Sequence, residues 1–491
     1  MVAWSWDLLS EPEQRAARRF AVFADGATAE AALRVCGTDG ETLESLADKS
    51  LLDAAGGGRY RMLETIRAYG SERLDEAGER ESARRAHARH FLELARTADP
   101  HLRRAGQRDR LRILAAEHDN LLAALCWAVE TPDVPTGLEL LASASTYLWI
   151  RGASAPVAPY AIALLDAVGD TPSEGFGEEY AVCVLLAASG SAGRPVWRRH
   201  RATAEKALAA SWPGDRAGRY PAALLLWLMR NASETDPGGA FALVSSQRDC
   251  PEPWARAVAW YVTGFGALGE GDTEAAERAM ATAVEGFRAL GDRWGTALAL
   301  DVLAGLAGGR GDRARAIALT DEALALTGEL GALEDSADLL VNRGDQLDDP
   351  AAARADYASA VGQVHMDSWT RGRTALIGDA AYCPSSLSGM GSGLALVGAY
   401  VLAGELAAAH GDHRVAYARY EEEMREYATG CQKMGDGVAK LMVPRNRTLA
   451  ALLNGYYRLI PYLPGKNMAT KIARKTAENI TLRDYHVLAR R

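Results

Sequence analysis

The chain has 491 residues, of which 48% are hydrophobic and 24% charged. That length allows roughly two to four globular domains, and the composition is that of an ordinary globular protein. The formal net charge of -9 gives no support for binding nucleic acid or an anionic membrane, and local basic clusters are interpreted as solvated helix faces.

The six cysteines are widely scattered and form neither a CxxC pair nor a metal-ligand spacing. No uninterrupted apolar run is long enough to span a bilayer, and the N-terminus lacks the basic-then-apolar pattern of a signal peptide. These features predict reduced thiols in a cytoplasmic protein that contacts no membrane.

The N-terminal segment, residues 1–85, combines short amphipathic helices with a hairpin. Helices are predicted over Glu11–Phe23, Thr28–Cys36 and Glu41–Lys49. Ser50–Leu63 contains three consecutive glycines and predicts a hairpin, and Glu64–Ala77 predicts a further helix. Three helices and a glycine-tipped hairpin indicate a winged-helix unit.

The middle of the chain, residues 86–362, carries a recurrent Gly-Asp pair. The pair stands at Gly271-Asp272, Gly291-Asp292 and Gly311-Asp312, with Gly331 in the same phase. Glycine can take the left-handed conformation that closes one helix, and aspartate can cap the amides that open the next. Between the pairs, apolar stripes are predicted at Ala275, Ala279, Ala283, Phe287, Ala316, Ala323 and Leu330. The pattern predicts an α-solenoid of tetratricopeptide-like helix pairs, with a period somewhat longer than ~34 residues.

The string Gly264-Phe-Gly266-Ala-Leu-Gly269 has the glycine spacing of a dinucleotide-binding turn. That turn requires a helix opening at the third glycine and a second strand within the same unit. Here Glu270-Gly271-Asp272 interrupts such a helix, and the residues that follow have helical patterns. We therefore predict that the string lies at a helix end inside the solenoid.

Residues 363–491 show a different pattern. The seam near Val361–Asp367 includes the alternating QVHMDSW, which is typical of a strand. The apolar run that ends at Gly378 predicts a buried strand that brings the Asp379 carboxylate to a sheet edge. Loop residues and a long apolar helix, Leu394–Ala408, follow. The amides that open this helix would point into the space beside Asp379.

Trp369–Leu402 resembles the second flavin-contacting motif of FAD-dependent aromatic-ring monooxygenases of the hydroxybenzoate hydroxylase type. The resemblance rests on GR, a short apolar run, GDAA, a proline and a glycine-rich turn before a helix, and it continues through Asp412–Tyr427 and Glu478–Tyr485. It implies that Asp379 accepts hydrogen bonds from ribityl or adjoining hydroxyls, and that the helix dipole faces the reduced isoalloxazine ring. The implied FAD-binding residues are Gly378, Asp379, Pro384, Gly389, Gly391, Ser392 and Gly393.

The segments WSWDLLSEPEQ, LADKSLL, GGRYRMLETIRAYGSERL and AEHDNLLAALCWAVE resemble the winged-helix and first superhelical segments of bacterial signal-transduction ATPases that regulate transcription. The resemblance covers Val2 to about Val129, and the repeat region by pattern. In that family the winged helix mainly packs against an ATPase module, so direct nucleic-acid binding is not expected. The sequence contains no G-x-x-x-x-G-K-[ST] string, so it predicts no phosphate cradle.

The expected fold is mainly α, with a winged-helix-like unit, an α-solenoid and a partial α/β FAD-binding segment. One hypothesis is a regulator-derived interaction protein whose repeats bind a protein or peptide, fused to an incomplete FAD-binding segment whose missing half a further chain could supply. The alternative is an FAD-dependent monooxygenase that uses NAD(P)H to hydroxylate a small aromatic substrate. No catalytic residue is predicted, because no His, Ser or Cys forms a nucleophile-base set. A natural fusion, a decayed gene and an assembly across a deletion would all give this pattern.

Overall fold

The computed structural model describes residues 2–55, 58–189, 193–212, 218–231, 238–360, 362, 366–383, 391–442, 480, 482–483 and 485. The described part is mainly α-helical and contains two small antiparallel sheets. The chain divides into two compact units, Met1–Leu347 and Asp348–Arg491. Each unit has its own cluster of buried apolar side chains.

The N-terminal segment forms five helices and a three-stranded sheet. The helices are α1 (Val2–Asp7), α2 (Glu11–Phe20), α3 (Ala29–Cys36), α4 (Gly40–Asp48) and α5 (Glu64–Glu76). The strands are β1 (Ala27–Thr28), β2 (Asp53–Ala55) and β3 (Arg59–Arg61). Their order is β1-β3-β2, all antiparallel, with Tyr60 opposite both Ala27 and Ala54. The predicted helices and hairpin are confirmed, and β1 is a strand that the sequence pattern did not indicate.

Local capping explains where these helices begin. Ser10 and Glu13 form a reciprocal capping box at the start of α2, and the Thr28 hydroxyl accepts from the Ala31 amide at the start of α3. Glu13 also accepts hydrogen bonds from Ser45 and Lys49, which join α2 to α4. The bond from Lys49 is the main reason that the pKa of Glu13 falls to about 2.

The helical array follows. Its first helices are α6 (Arg80–Ala98), α7 (Gln107–Ala116), α8 (His118–Glu130), α9 (Val134–Ile150), α10 (Ser154–Val168), α11 (Gly177–Ala188), α12 (Gly193–Ser211), α13 (Ala222–Asn231) and α14 (Gly238–Ser245). The later ones are α15 (Pro253–Gly269), α16 (Thr273–Leu290), α17 (Arg293–Gly309), α18 (Arg313–Leu330) and α19 (Leu333–Gln346). Short 3-10 turns lie at Asp99–Arg103 and Ser246–Asp249.

The Gly-Asp pairs act as the sequence predicts. Backbone φ is +81°, +74°, +83° and +64° at the four glycines Gly271, Gly291, Gly311 and Gly331. The side chains of Asp272, Asp292 and Asp312 accept hydrogen bonds from backbone amides three residues on, at 2.8, 3.2 and 3.1 Å. Helix stop and helix start therefore recur every 20 residues along α15–α18, since Thr273, Arg293 and Arg313 open successive helices.

The predicted apolar stripes are buried at Ala279, Ala283, Phe287, Ala316, Ala323 and Leu330. Ala275 was predicted to belong to the buried stripe, but it lies in the first turn of α16 and is only half-buried. Helices α15 with α16, and α17 with α18, pack as antiparallel neighbours along their length.

The prediction for Gly264–Gly269 is confirmed. These residues form the last turns of α15, and the residues directly before them, from Pro253 onward, belong to the same helix. A Cβ at Gly264 would lie 2.6 Å from Cε of Met280, so this glycine permits close packing of α15 on α16. The backbone of Gly264 therefore lies in a contact between two helices and does not form a phosphate-binding turn.

The C-terminal unit contains α20 (Pro350–Ala360), β4 (Thr370–Arg371), β5 (Thr374–Ala375), α21 (Asp379–Tyr382), α22 (Gly391–Ala408) and α23 (His413–Met442). Strands β4 and β5 form an antiparallel hairpin. The expectation of a buried strand before Gly378 was wrong, because Gly372, with φ +61°, turns the chain back and β5 has β4 as its one partner among the described residues, with Thr374 exposed and Ala375 half-buried. The alternating QVHMDSW was predicted as a strand, but residues 366–369 are not in one, and positions 361 and 363–365 of the seam lie outside the described residues.

Candidate functional site

Gly378 connects the hairpin to α21. It has φ +65°, a conformation that disfavours any side chain, and a Cβ there would lie 3.0 Å from Cβ of Ala395 on α22. The residue is buried. A glycine at this position therefore lets the turn between β5 and α21 lie directly on the first turns of α22.

Asp379, the first residue of α21, is exposed and lies beside the start of α22. A Cβ at Gly391 would stand 3.6 Å from the Asp379 Oδ1 atom, whereas a Cβ at Gly393 would meet nothing within 4 Å. The structure thus brings an exposed carboxylate, which has no hydrogen-bond partner within the described ranges, to the opening turn of an 18-residue helix, with open space beside Gly393.

The seven residues predicted to bind flavin are only partly described. Gly378, Asp379, Gly391 and Gly393 lie at the two neighbouring helix starts, as the sequence predicts. Pro384 and Gly389 lie outside the described residues, as does the side chain of Ser392. Their assignment as cofactor ligands stays a prediction.

Three buried aromatic side chains, Trp369, Tyr382 and Tyr420, hold α21 and the turn before it in place. The hydroxyl of Tyr382 contacts Gly398 of α22 and lies 3.0 Å from the Tyr420 hydroxyl of α23. Tyr420 in turn donates to the Leu376 carbonyl at 2.9 Å, and burial raises its pKa. The Trp369 ring packs edge-on against Tyr382, with centroids 4.6 Å apart. These contacts fix α21 between α22 and α23.

Glu421 fixes the hairpin to α23. One carboxylate oxygen accepts from the Ser368 hydroxyl, the Trp369 amide and the Thr370 hydroxyl at 2.7, 2.7 and 2.8 Å. Arg425 donates to the other oxygen at 2.6 Å. Burial opposes ionisation of Glu421, but these hydrogen bonds hold its pKa below the usual value.

Sequence reasoning missed these supporting residues. Glu421 stands in the run EEE, where helical periodicity cannot tell which carboxylate turns inward. Tyr382 directly follows the GDAA motif, and its aromatic character next to a glycine-rich turn was the signal available for it. The hydrogen bonds between Tyr382 and Tyr420 and between Trp369 and Glu421 each join residues more than 35 positions apart, so local pattern could not pair them.

The described residues fit the flavin end of FAD. The first amides of a helix have no intrahelical acceptor, so those of α22 are available to an electron-rich ring edge. The exposed Asp379 carboxylate is an acceptor for ribityl hydroxyls. Among the described residues, all paired strands are antiparallel and Gly264–Gly269 is helical, so that part of the chain holds no strand-turn-helix cradle for the pyrophosphate.

The described part of the chain contains no group of three or more His, Cys, Asp or Glu side chains placed to hold a metal ion. No disulfide joins any of the six cysteines, all of which lie within the described part of the chain, and Cys36, Cys183, Cys250 and Cys431 are buried. Cys383, near the predicted flavin loop, is half-buried and points to the Gly362 carbonyl at 3.7 Å. No helix within the described ranges is both long and apolar enough to cross a bilayer.

Comparison with known proteins gives two kinds of similarity. No family model matches the chain. A flavin-dependent monooxygenase from Legionella longbeachae is 52% identical over 84 residues, which are 17% of this chain and 22% of that protein. Monooxygenase CTB7 from Cercospora beticola is 35% identical over 150 residues, 28% of this chain and 36% of that protein. The chain thus spans between about a fifth and about a third of the length of these curated relatives.

A third relative, FAD-dependent monooxygenase asL6 from Sarocladium schorii, is 49% identical over 79 residues, 16% of this chain and 18% of that protein. Among solved structures, a signal transduction ATPase with numerous domains that has a tetratricopeptide repeat sensor, from Pyrococcus horikoshii, aligns with a TM-score of 0.39 and 14% identity. That alignment covers 72% of this chain and 56% of the other. Similarity to flavin-dependent monooxygenases is confined to a minor part of the chain.

Proposed function

We propose that this chain is a helical-repeat interaction protein, related to the regulatory end of signal-transduction ATPases and joined to an incomplete flavin-contacting segment. The observation that carries the proposal is the helical state of Gly264–Gly269. The sequence string that matched a dinucleotide turn is used for packing α15 on α16, so the described residues offer no site for the ADP half of FAD.

The N-terminal geometry supports the regulatory relationship. Helices α2, α3 and α4 precede the β2-β3 hairpin, and β1 completes a three-stranded sheet. This order of helices and hairpin is what a winged helix requires and so supports that assignment, and α6 continues from it into the array. We propose that the unit serves as a structural base for the array, whose helices present a surface to a protein or peptide partner.

The C-terminal segment would contact the flavin end of the cofactor. Bound FAD would supply the redox chemistry, and Asp379 would orient the ribityl chain by accepting its hydroxyl protons in hydrogen bonds. The α22 amides would stabilise negative charge on the ring by about 0.3–1 kcal/mol at an exposed helix end. Without contacts to pyrophosphate and adenosine, FAD should bind no more tightly than FMN or riboflavin.

A flavin titration tests this proposal. Purified full-length protein is titrated with riboflavin, FMN and FAD, alongside Asp379→Ala and the matched surface change Glu422→Ala, and binding is followed by flavin fluorescence. We expect weak binding with similar affinity for the three flavins, lost in Asp379→Ala and kept in Glu422→Ala. Tight, stoichiometric binding of FAD alone would show that a complete site exists and that the segment is not incomplete.

The second candidate function is an FAD-dependent monooxygenase that uses NAD(P)H on a small aromatic substrate. The sequence similarity to flavin-dependent monooxygenases favours it. It requires an ADP-binding half that the described residues do not provide, and a second chain is the source that we propose. Consumption of NAD(P)H by the purified protein with added FAD, stimulated by an aromatic compound, would establish this function. Activity that arises only with a second protein would identify the complementing chain.

A further inference from the structure

A cavity of about 440 Å³ lies where the residues after α2 meet helices α5, α6 and α8. Two of these helices each line it with residues at the spacing i, i+4 and i+7, which share one helix face. They are Arg67, Ser71 and Leu74 on α5 and Arg80, Arg84 and His87 on α6. A volume in this range accommodates a small organic molecule.

Positive charge predominates in the wall of this cavity. The described residues that line it include three arginines and a single carboxylate, that of Glu130, which gives the lining a formal charge of +2. His87 adds no charge at neutral pH, since burial lowers its pKa to about 4. The whole chain carries a net charge of -9, so the excess of cations here is local. Guanidinium groups around one cavity repel one another unless an anion lies among them.

The arginines have carboxylate partners, but these partners lie largely in water. The pairs are Arg67 with Glu64, Arg80 with Asp75 and Arg84 with Glu130. The three carboxylate side chains are 79%, 49% and 53% exposed, whereas those of Arg67 and Arg84 are 32% and 29% exposed. Ion pairs at the surface are screened by solvent and contribute little, so the guanidiniums can also bind an anion in the more enclosed space.

Unused hydrogen-bond donors remain on each arginine. A guanidinium can donate from Nε, Nη1 and Nη2, and the contacts to the carboxylates use only Nε and Nη2. Within the described part of the chain, Nη1 of Arg67, Arg80 and Arg84 has no hydrogen-bond acceptor, and the Ser71 hydroxyl has no partner. Several donors around one space are what a carboxylate or phosphate head group requires.

The rest of the lining is largely apolar. Ala21 and Val22 follow α2, Leu74 belongs to α5, and Ala123 and Trp127 belong to α8. The indole nitrogen of Trp127 already donates to Glu81 at 3.3 Å, so this ring offers the cavity a hydrocarbon surface. The cavity therefore combines donors for an acidic head group with an apolar surface for the body that carries it.

We propose that this cavity binds a small organic anion that consists of an acidic head group on an apolar body. The head accepts hydrogen bonds from the Nη1 groups of the three arginines, and the body packs against Val22 and Trp127. Because Arg67 lies on α5 and Trp127 on α8, the bound anion joins the N-terminal segment to the first helices of the array. This inference goes beyond the proposed interaction role and does not depend on it.

The test is isothermal titration calorimetry of the full-length protein at low salt. The probes are phenylbutyrate, phenyl phosphate, the neutral phenylbutanol and inorganic phosphate. We expect one or both organic anions to bind at least about tenfold more tightly than the neutral alcohol and than inorganic phosphate, since each of these lacks one of the two kinds of contact. The tighter of the two organic anions assigns the head group as carboxylate or phosphate.

Variants locate the binding. Arg67→Gln with Arg84→Gln removes two cations of the lining and should weaken the organic anion by about tenfold or more. The matched control, Arg85→Gln with Arg89→Gln, removes the same charge from exposed positions of α6 outside the cavity and should change affinity by less than about twofold. Ala123→Phe fills the cavity at unchanged charge and should also weaken binding by about tenfold. Circular dichroism verifies that each variant is folded.

The outcomes separate the parts of the proposal. Equal losses in the two double variants, or full binding by Ala123→Phe, would place the anion elsewhere and overturn the site. Inorganic phosphate that binds as tightly as phenyl phosphate would reject the apolar body. Phenylbutanol that binds as tightly as phenylbutyrate would reject the acidic head, and failure of both organic anions to bind would reject the site as a whole.

Discussion

At the level of single residues, the aspartate of the Gly-Asp pair makes different contacts at different points of the array. Asp272 is exposed and caps α16 only. Asp292 caps α17 but is 1% exposed and also accepts from Gln107 and Trp254, both at 2.7 Å. Burial raises the pKa of Asp292, and these hydrogen bonds offset part of that effect. The hydrogen bonds from Gln107 and Trp254 join α7 and α15 to the start of α17 at Asp292. The Gly-Asp pattern itself does not indicate these partners.

A matched pair of substitutions measures that difference. Asp272→Ala should lower the free energy of unfolding by about 0.5–2 kcal/mol, the usual value of an N-cap. Asp292→Ala should cost about 1–3 kcal/mol more, because donors of Gln107 and Trp254 are left buried without an acceptor. Urea denaturation followed by circular dichroism gives both values. Equal losses in the two variants would show that the Asp292 contacts beyond the cap contribute nothing.

Asp335 makes stability depend on pH in a defined direction. Its folded-state pKa of about 6 lies above the ~3.9 of an unfolded aspartate, so the folded state binds the proton more tightly. The stabilisation of the folded state by this tighter proton binding is fully present at low pH and is lost as pH rises from about 4 through about 6. Asp335→Asn keeps an acceptor for Trp294 and should therefore stabilise the protein by about 1–2 kcal/mol near pH 8, after allowance for solvent screening, with little gain near pH 4.

Thermal unfolding of both proteins at several pH values checks this expectation. The exposed change Glu285→Gln is the control and should leave the shape of the pH profile as it is. A gain from Asp335→Asn of the same size at every pH would mean that the cost of ionising this half-buried carboxyl beside Asp338 and Glu334 is not its cause.

At the level of helices and strands, local signals predicted the repeat array well. Thr273–Leu290 was predicted as a helix and is one. Its ends depend on local contacts, since Asp272 caps the first turn and Gly291 takes the left-handed conformation that ends the last. The same device at Gly411-Asp412 opens α23, where Gly411 has φ +83°. Strand β1 was missed because two residues cannot show a period, and its pairing with β3 depends on residues about 30 positions away.

Phe287 tests whether the apolar stripe of α16 holds the array together. The side chain is 1% exposed, packs near Trp254 with ring centroids 6.1 Å apart, and lies where a Cβ on Gly295 would collide with it. Phe287→Ala should therefore destabilise the array by roughly 3–5 kcal/mol. Leu333→Ala, at a residue that is 78% exposed, should change stability by less than about 0.5 kcal/mol. Chemical denaturation that gives similar small values for both would show that the stripe was misassigned.

At the level of the whole molecule, the flavin-like segment was predictable only in part. The GDAA motif correctly placed Asp379 beside the opening of α22, because a glycine with positive φ and a glycine-rich helix start are local requirements. The extended run before it was predicted as a buried strand, yet burial of a strand depends on neighbouring strands and on packed elements that the local sequence does not specify. Here β4 is its one neighbour within the described residues. A motif such as GDAA indicates which contacts a residue makes in the proteins that share the motif. It does not indicate whether the rest of their fold is present in this chain.

The two compact units have separate apolar cores, and this predicts how the molecule unfolds. The core of the first includes Phe287, whereas that of the second is built around Trp369, Tyr382, Tyr420 and Met424. Units with separate cores unfold in separate transitions, and distant substitutions act additively. Met424→Ala, at a fully buried position, should lower one transition by about 2–5 kcal/mol and leave the other in place, while Phe287→Ala should do the reverse.

Differential scanning calorimetry of the two single variants and the double variant distinguishes the possibilities. Two transitions, each shifted by one substitution and both shifted in the double variant, would support independent units. A single transition that both substitutions lower would mean that the units fold together. In that case a substitution in either core would lower the stability of both units.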